Sequence, residues 1–267
     1  MQDRLKIRLK EKYGQWAVIS GASSGIGREL TFNVCKAGLN AIIIGRNIEA
    51  LREVKSKCED HYKTEVLEVV CDLGRDDYTS IYEACKDKNI GLFIASAGFG
   101  TSGPFIENSV QSESDMVQVN CKALMVLTHY FGQHFASQKR GGIILLSSMV
   151  GFQGVPFTAH YAATKAYVQS LAEGLYHELK PKGVDVLAAA PGPVETGFAQ
   201  QANLIMDGAM NVEKIGWEIL NALGRKMTVL PGGLTKVLMY ALRTTPRWGK
   251  IRIMKGVMGG MTKHQRV

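Results

Sequence analysis

The chain alternates short, continuously apolar segments with longer segments of mixed polarity. Seven short segments are rich in β-branched residues, as expected for strands that helices cover on both faces. They span 16–20, 41–45, 66–71, 92–96, 142–148, 184–190 and 227–230. Helical periodicity is predicted over 25–37, 49–58, 76–86, 113–137, 158–180 and 212–223. This alternation predicts a single doubly wound α/β domain with a parallel sheet of about seven strands and helices on both faces.

Composition and charge support one folded domain with a basic end. The 267 residues are 46% hydrophobic, which is enough for a core, and neither a Pro/Ser-rich linker nor an internal repeat divides residues 1–267. The net charge of +8 comes from 32 basic and 24 acidic residues. No acidic residue follows Glu218, and the cations beyond it are Arg225, Lys226, Lys236, Arg243, Arg247, Lys250, Arg252, Lys255, Lys263 and Arg266. The excess charge therefore belongs to the C-terminal part of the chain.

The cysteines predict neither disulfides nor a metal site. The five cysteines form no C-x-x-C pair and no cluster with histidines at zinc-ligand spacing, so they are expected to be reduced thiols of an intracellular protein. No apolar run approaches the roughly 18 residues of a membrane span, and the N-terminus has no apolar signal core. The expected location is the cytoplasm, with peripheral contact at a membrane surface as an option.

A glycine-rich segment joins the first predicted strand to the first helix after it. Glycines at this point let the backbone turn tightly and approach a pyrophosphate, which the helix N-terminus then binds. The candidate cofactor-binding residues in this segment are Gly21, Ser23, Ser24, Gly25, Ile26 and Gly27. A plain strand–helix turn is the alternative, although the strand before and the helix after it favour a dinucleotide site.

Arg46 follows the second predicted strand, where NAD-binding proteins carry an acidic residue for the ribose 2′-hydroxyl. A guanidinium can instead form charge-assisted hydrogen bonds with a 2′-phosphate. This favours NADP(H) over NAD(H), the alternative being a solvated arginine after a strand.

Tyr161 and Lys165 are four residues apart in a predicted helix and share one face. Ser148 closes the strand upstream, at the sheet edge where parallel sheets bind ligands. An ammonium group near a phenol would lower the phenol's pKa and allow proton transfer, and Ser148 would hydrogen-bond a substrate oxygen.

These motifs together resemble the short-chain dehydrogenase/reductase superfamily, with the family order and spacing over about residues 14–200. The matching positions are Ser20-Gly21…Gly25-Ile26-Gly27, Ser96-Ala97-Gly98, Asn120, Ser148, Tyr161…Lys165 and Pro191-Gly192…Thr196. Two positions differ mildly from the family pattern: Ser20 stands for the usual Thr, and Ser96 for the usual Asn. The resemblance implies a Rossmann-type fold and an NADP(H)-dependent oxidoreductase without a metal.

The resemblance also implies residue roles. Tyr161 would exchange the proton with the substrate oxygen, Lys165 would lower the pKa of Tyr161 and hold the nicotinamide ribose, and Asn120 would keep a water in a proton relay. The further cofactor contacts it implies are Asp72, Leu73, Ser96, Ala97, Gly98, Pro191, Gly192, Val194 and Thr196. A homodimer or homotetramer is the family expectation. The alternative from another class is a non-catalytic NADP(H)-binding sensor or scaffold, against which the intact Asn120, Ser148, Tyr161 and Lys165 argue.

The region 197–224 corresponds to the family's substrate flap. It carries the apolar residues Phe198, Leu204, Ile205, Met206 and Met210. Flexible apolar side chains suit a hydrophobic carbonyl substrate, such as a 3-oxoacyl group, a steroid or a retinoid-like ketone. Packing of these residues against the body or a neighbouring subunit is the alternative.

The basic C-terminal extension, 231–267, mixes apolar residues with unopposed cations. Together with the N-terminal segment it is similar, more weakly, to the branch with microsomal 3-oxoacyl-CoA and 17β-hydroxysteroid reductases. The extension is expected to rest on an anionic bilayer, receive an acidic acyl carrier or attract a phosphate-rich substrate. Covering the substrate cleft or a dimer edge is the alternative. Nucleic-acid binding is not expected, because no recognition fold accompanies the charge.

Overall fold

The computed structural model describes residues 2–205, 209–242 and 244–265. One parallel sheet has the strand order β3-β2-β1-β4-β5-β6-β7, which confirms the predicted doubly wound α/β fold. The strands are β1 (Trp16–Ser20), β2 (Asn40–Gly45), β3 (Val66–Val70), β4 (Ile90–Ala95), β5 (Gly141–Leu146), β6 (Val184–Ala189) and β7 (Thr228–Val229). All seven lie where the apolar segments predict strands, with ends shifted by at most two residues.

Eleven α-helices occur in the described part of the chain. They are α1 (Gln2–Tyr13), α2 (Gly25–Lys36), α3 (Ile48–Tyr62), α4 (Thr79–Cys85), α5 (Val110–Val117), α6 (Leu124–Ser137), α7 (Ala159–Leu179), α8 (Phe198–Gln201), α9 (Gly216–Ala222), α10 (Gly233–Ala241) and α11 (Arg247–Met261). No helix among the described residues is long and apolar enough to cross a membrane.

Two apolar layers cover the two faces of the sheet. Alternate strand residues point to opposite faces, so Ile19 of β1 joins one layer and Val18 the other. The first layer contains residues of α1, α2, α3 and α9, and the second contains residues of α4, α6 and α7. Burial on both faces explains why the strands are hydrophobic without alternation.

The strand order reverses beside β1, and this point opens a crevice at the carboxyl ends of the strands. Ser20 at the end of β1 is in register with Ile44 of β2 and Ala95 of β4, so these three strands end nearly level. In such sheets ligands bind at this switch point. The loops that follow β1, β2, β3, β4, β5 and β6 all reach it.

Two helical regions differ from the sequence prediction. The helix predicted over 113–137 begins at Val110 and contains a π-helical turn, Gln118–Ala123, between α5 and α6. A π-turn inserts an extra residue, which hydrophobic periodicity does not reveal, and such turns are frequent at functional sites.

The second half of the predicted flap, 197–224, belongs to the core. Ile219 and Leu220 of α9, and Leu223 after it, are fully buried in the layer that contains α2. In the first half, α8 begins at Phe198. Met206 lies outside the described residues, as do Arg243 and Arg266 of the basic extension.

Helix α1, which the sequence analysis does not predict, closes the amino-terminal edge of the sheet. Its apolar residues Leu5, Leu9 and Tyr13 are spaced by four and buried. The Tyr13 hydroxyl donates to Asp185 Oδ2 at 2.7 Å, and Lys180 Nζ lies 3.0 Å from Asp185 Oδ1. Burial alone would raise the pKa of Asp185, but hydrogen bonds from Lys12, Tyr13 and Lys180 outweigh it and hold the pKa below its ordinary value.

We expect Tyr13→Phe to lower the free energy of unfolding by about 1.5–3 kcal/mol at neutral pH, because a buried carboxylate loses one hydrogen bond. The difference from wild type should shrink in acid, as Asp185 becomes protonated in the folded protein below its ordinary pKa of 3.8. Urea unfolding between pH 3 and pH 7 measures it. Tyr167→Phe is the control, since that side chain is 41% exposed. Equal stability of the two variants would contradict the role of Tyr13.

Candidate active site

The glycine-rich turn between β1 and α2 forms a cradle with almost no side chains. Gly21 and Gly25 have left-handed backbone angles, with φ of +69° and +55°. A Cβ on Gly27 would lie 2.2 Å from the carbonyl oxygen of Gly21, and one on Gly21 would lie 2.7 Å from Ala97. Only glycine fits these positions. Ser24 precedes α2 without capping it through its side chain, so the amino end of this 12-residue helix faces the cleft without a side-chain cap.

The ends of β2 and β3 supply polar groups on one side of this cradle. Arg46 is exposed and lines the cleft together with Asp72 and Leu73. The Asp72 carboxylate accepts a hydrogen bond from the Gly74 N–H at 3.0 Å, which fixes its turn. Among the described residues Arg46 has no ion-pair partner, so its guanidinium is available to an anion in the cleft.

The loop after β4 forms the opposite wall, and two side chains fix it. The Ala97 N–H donates to Ser20 Oγ at 3.3 Å. Asn120, in the π-turn and fully buried, accepts from the Phe99 N–H at 3.1 Å and donates to the Phe99 carbonyl at 2.8 Å and to Thr164 Oγ1 at 3.1 Å. Asn120 thus joins this loop to α7. The proton-relay role remains a prediction.

Helix α7 carries Tyr161 and Lys165 to the end of β5. Lys165 Nζ donates to the Leu146 carbonyl at 2.8 Å, and Ser147 Oγ donates to the Lys165 carbonyl at 3.0 Å. The fit is close, because a Cβ on Gly151 would lie 2.8 Å from the Lys165 carbonyl. These contacts place the Lys165 ammonium 5.8 Å from the centre of the Tyr161 ring.

Ser148 interacts with the Tyr161 phenol, a contact that the sequence analysis does not predict, and the phenol's pKa differs from expectation. Burial raises the pKa of Tyr161 above its ordinary value, and the hydrogen bond with Ser148 lowers it only in part. Burial also lowers the pKa of Lys165 to about 8, against which the nearby Cys121 thiol acts weakly. The predicted lowering of the Tyr161 pKa by Lys165 is therefore not found, because desolvation is the larger effect at both groups.

One cavity of ≈ 660 Å³ contains almost all of the predicted site. Of the predicted residues, those that line it are Gly21, Ser23, Ser24, Gly25, Ile26, Gly27, Arg46, Asp72, Leu73, Ser96, Ala97, Gly98, Ser148, Tyr161, Lys165, Pro191, Gly192, Val194 and Thr196. Asn120 is the exception and lies directly behind the wall, at the back of Gly98. Predicted residues from seven segments of the chain therefore meet in one space.

The far end of this cavity is apolar. Phe198 packs on Tyr161 with ring centres 5.2 Å apart, and Leu204 from the predicted flap lies nearby. Helices α10 and α11 form the rest of this wall through Leu238, Ala241, Leu242, Ile253, Met254, Val257, Met258 and Met261. The extension thus covers the cleft, which the sequence analysis offers as an alternative without naming these residues. The spacing of Met254, Met258 and Met261 along one helix face is the signal that could have found them.

Three hydrogen bonds hold the apolar wall formed by α11 in place. Gln265, just beyond α11, donates to Ser102 Oγ at 2.8 Å, and Ser102 in turn donates to the Ala202 carbonyl at 2.5 Å. The Ile205 N–H donates to the Met261 carbonyl at 3.1 Å. The flap, the loop after β4 and the end of the chain are therefore tied together over the cavity.

Comparison with known proteins gives consistent results. The family described as short chain dehydrogenase matches residues 15–206. A 7beta-hydroxysteroid dehydrogenase from Clostridium sardiniense is 30% identical over 238 residues, which cover 87% of this chain and 91% of that protein. The human inactive hydroxysteroid dehydrogenase-like protein 1 is 33% identical over 201 residues, which cover 74% of this chain and 61% of that protein.

Solved structures share the fold. A structure from a study of 7beta-hydroxysteroid dehydrogenase stereoselectivity has a TM-score of 0.85 and 25% identity, covering 92% of this chain and 98% of that chain. A short-chain dehydrogenase from Sphingobium yanoikuyae in complex with NADPH has a TM-score of 0.77 and 26% identity, covering 86% and 92% of the two chains.

We expect Lys165→Met to gain about 3 kcal/mol of stability relative to wild type at pH 7 compared with pH 10.5, since the buried ammonium has a pKa of about 8 against an ordinary 10.5. Below pH 8 the folded protein bears the full cost of burying this charge. The cost is relieved as pH rises from about 8 to 10.5, because the folded state then binds fewer protons than the unfolded state. The gain should therefore disappear over that window.

Chemical denaturation at pH 7 and pH 10 checks this. Lys57→Met, at an exposed position of α3, is the control and should show no such pH-dependent gain. A stability difference between Lys165→Met and wild type that is the same at pH 7 and pH 10 would contradict the cost assigned to this buried charge.

Proposed function

Because the chain belongs to the short-chain dehydrogenase family, we propose that it is an NADP(H)-dependent oxidoreductase acting on a hydrophobic carbonyl or alcohol. The observation that carries this proposal is the position of Tyr161. Its phenol, in contact with Ser148, lies where the glycine-lined cleft meets the apolar end of one continuous cavity. A proton donor at that junction is what carbonyl reduction requires.

The cleft fits a dinucleotide. The cradle of Gly21, Gly25 and Gly27 has no room for a Cβ at its closest points, which leaves backbone N–H groups for a pyrophosphate. Arg46 would bind a 2′-phosphate, and Asp72 with Leu73 would meet the adenine. The nicotinamide end would lie against Ser96, Ala97, Gly98, Pro191, Gly192, Val194 and Thr196. The bound cofactor supplies the hydride in reduction and accepts it in oxidation.

The proton chemistry follows from the pKa of the two buried groups. A phenol is protonated at neutral pH, and burial raises the pKa of Tyr161 further, so Tyr161 would hold the proton that a carbonyl oxygen receives. Ser148 would donate a hydrogen bond to the same oxygen and stabilise the charge that develops there. Lys165 is cationic below about pH 8 and would hold the ribose hydroxyls. Oxidation of an alcohol needs the deprotonated phenol, so this direction should gain with rising pH.

The substrate is expected to be large and apolar. The side chains of α10 and α11 that the structure describes at the cavity are all uncharged, and three methionines adapt to flexible or fused-ring ligands. The relatives named for 7beta-hydroxysteroids support a steroid ketone over a 3-oxoacyl thioester. Loss of NADPH absorbance against a panel of steroid ketones, 3-oxoacyl thioesters and retinal tests this. Turnover of acyl thioesters alone would assign a fatty-acyl substrate instead.

A non-catalytic NADP(H)-binding role is the second candidate, and the human relative named as inactive favours it. Tight NADPH binding without turnover of any carbonyl compound would support this role. Against it, this chain keeps a phenol at position 161 with Ser148 in contact, which binding alone does not need.

We expect Tyr161→Phe to reduce turnover by at least 100-fold, because the proton donor is removed. NADPH affinity, followed by fluorescence titration, should change by less than about threefold. Tyr167→Phe, on the same helix and outside the cavity, is the matched control and should behave as wild type. Retained activity of Tyr161→Phe would remove this phenol from the mechanism.

We expect Arg46→Ala to weaken NADPH binding by about 1.5–3 kcal/mol, which is roughly 10- to 100-fold, while NADH binding changes little. The reason is that only NADPH carries the 2′-phosphate. Titration of both cofactors measures the effect, with Lys57→Ala as the control for a lost surface charge. Equal weakening of NADPH binding and NADH binding would show that Arg46 does not bind the 2′-phosphate.

A further inference from the structure

The rim of the cavity is apolar and open to solvent. Leu238 of α10 and Ile253 and Val257 of α11 line the cavity, yet they are 38%, 47% and 45% exposed. Side chains that face both the cavity and solvent lie where the two meet. The entrance to the apolar end therefore runs between α10 and α11.

The apolar surface continues outward from this entrance. Val237 and Tyr240 on α10 are 65% and 66% exposed, and Trp248 on α11 is 66% exposed, although none of them lines the cavity. A contiguous apolar patch on a folded protein usually marks an interaction site. Tyr and Trp have an apolar ring with a polar end and are enriched where water meets lipid.

Cations border the same surface. Trp248, Arg252 and Lys255 are spaced by four and three residues and share one flank of the exposed side of α11, while Ile253 and Val257 lie on its other flank. Arg252 and Lys255 are exposed. Within the described residues, the one ion pair that involves a residue beyond 231 joins Lys236 to Glu218, so these two cations are not neutralised. We call Val237, Leu238, Tyr240, Trp248, Arg252, Ile253, Lys255 and Val257 the α10–α11 face.

We propose that the α10–α11 face docks on an anionic lipid surface, with the cavity entrance towards the lipid. Apolar and aromatic side chains would enter the interface while Arg252 and Lys255 meet lipid phosphates and carboxylates. A hydrophobic substrate would then pass from the bilayer into the cavity without crossing water. Docking stands independently of catalysis, and only this delivery step rests on the proposed function.

The charge disfavours a second copy of the chain as the occupant. An isologous dimer through this face would bring Arg252 and Lys255 of both copies together, in a protein whose net charge is already +8. An anionic lipid surface offers the opposite charge.

Sedimentation with vesicles tests the docking directly. The full chain is mixed with phosphatidylcholine vesicles, or with vesicles that also contain about one third phosphatidylserine, at 50 and 500 mM salt. We expect binding to the anionic vesicles at low salt, at least tenfold weaker binding at high salt, and little binding to neutral vesicles. Absence of binding to anionic vesicles at low salt would overturn the proposal.

Charge reversal at the face provides the specific test. We expect R252E/K255E to weaken binding to anionic vesicles at least tenfold. The matched control, K57E/K182E, changes the net charge equally at exposed positions of α3 and of the turn before β6 and should bind as wild type. Equal loss in both variants would show that only the net charge matters and would overturn the proposal.

Apolar substitutions separate docking from simple attraction between charges. We expect Y240S/W248S to weaken binding to anionic vesicles at least fivefold. I106S/V110S removes an even more exposed apolar pair elsewhere and should leave binding unchanged. If instead the Y240S/W248S variant changes the mass of the protein in solution, a second copy covers this face and the proposal fails.

Turnover distinguishes a failure of docking from a failure of the proposed function. Arg252 and Lys255 do not line the cavity, so R252E/K255E should bind NADPH and reduce a water-soluble ketone as wild type does. It should be at least fivefold slower than wild type on a ketone dissolved in anionic vesicles. Vesicle binding without turnover of any ketone would refute the proposed function and leave docking intact. Equal rates on the vesicle-borne ketone would refute the delivery.

Discussion

The attachment of α7 to the end of β5 is the constraint on which the site depends. Lys165 reaches the Leu146 carbonyl and Ser147 returns a hydrogen bond to the Lys165 carbonyl, so one turn of α7 is held on the strand end from both directions. Tyr161 lies one turn earlier on the same helix, and its position is fixed by these contacts. Thr164, between them, receives a hydrogen bond from Asn120 and so extends the attachment to the loop after β4.

This attachment lowers the stability of the folded chain, and the rest of the fold offsets the loss. A buried ammonium destabilises the folded chain, as the lowered pKa of Lys165 indicates. The opposite edge of the sheet carries a buried charge of another kind. Asp185 is surrounded there by Lys12, Tyr13 and Lys180, which favour its charged form. The hydrogen-bonded carboxylate of Asp185 thus lies at the amino-terminal edge of the sheet. The desolvated ammonium of Lys165 lies at the carboxyl-terminal edge, where the chemistry is proposed to occur.

The C-terminal extension has two faces with different environments. Met254 and Met258 of α11 are buried against the cavity, whereas Arg252 and Lys255 of the same helix are exposed. A single helix therefore lines the cavity on one side and carries unpaired cations on the other. Gln265, just beyond this helix, donates to Ser102, so a hydrogen bond ties the end of the extension to the loop after β4.

The sequence by itself determined the sheet and most of the site. Strands covered on both faces must be continuously apolar, and the turn before α2 requires glycine wherever a Cβ would clash, so both are visible as local patterns. Tyr161 and Lys165 are recognisable because helical spacing is local as well. The pKa of Tyr161 and the location of α9 in the core were decided only by the tertiary structure, as was the lining of the cavity by α10 and α11. Burial depends on which distant segments come together, and no short stretch of sequence contains that information.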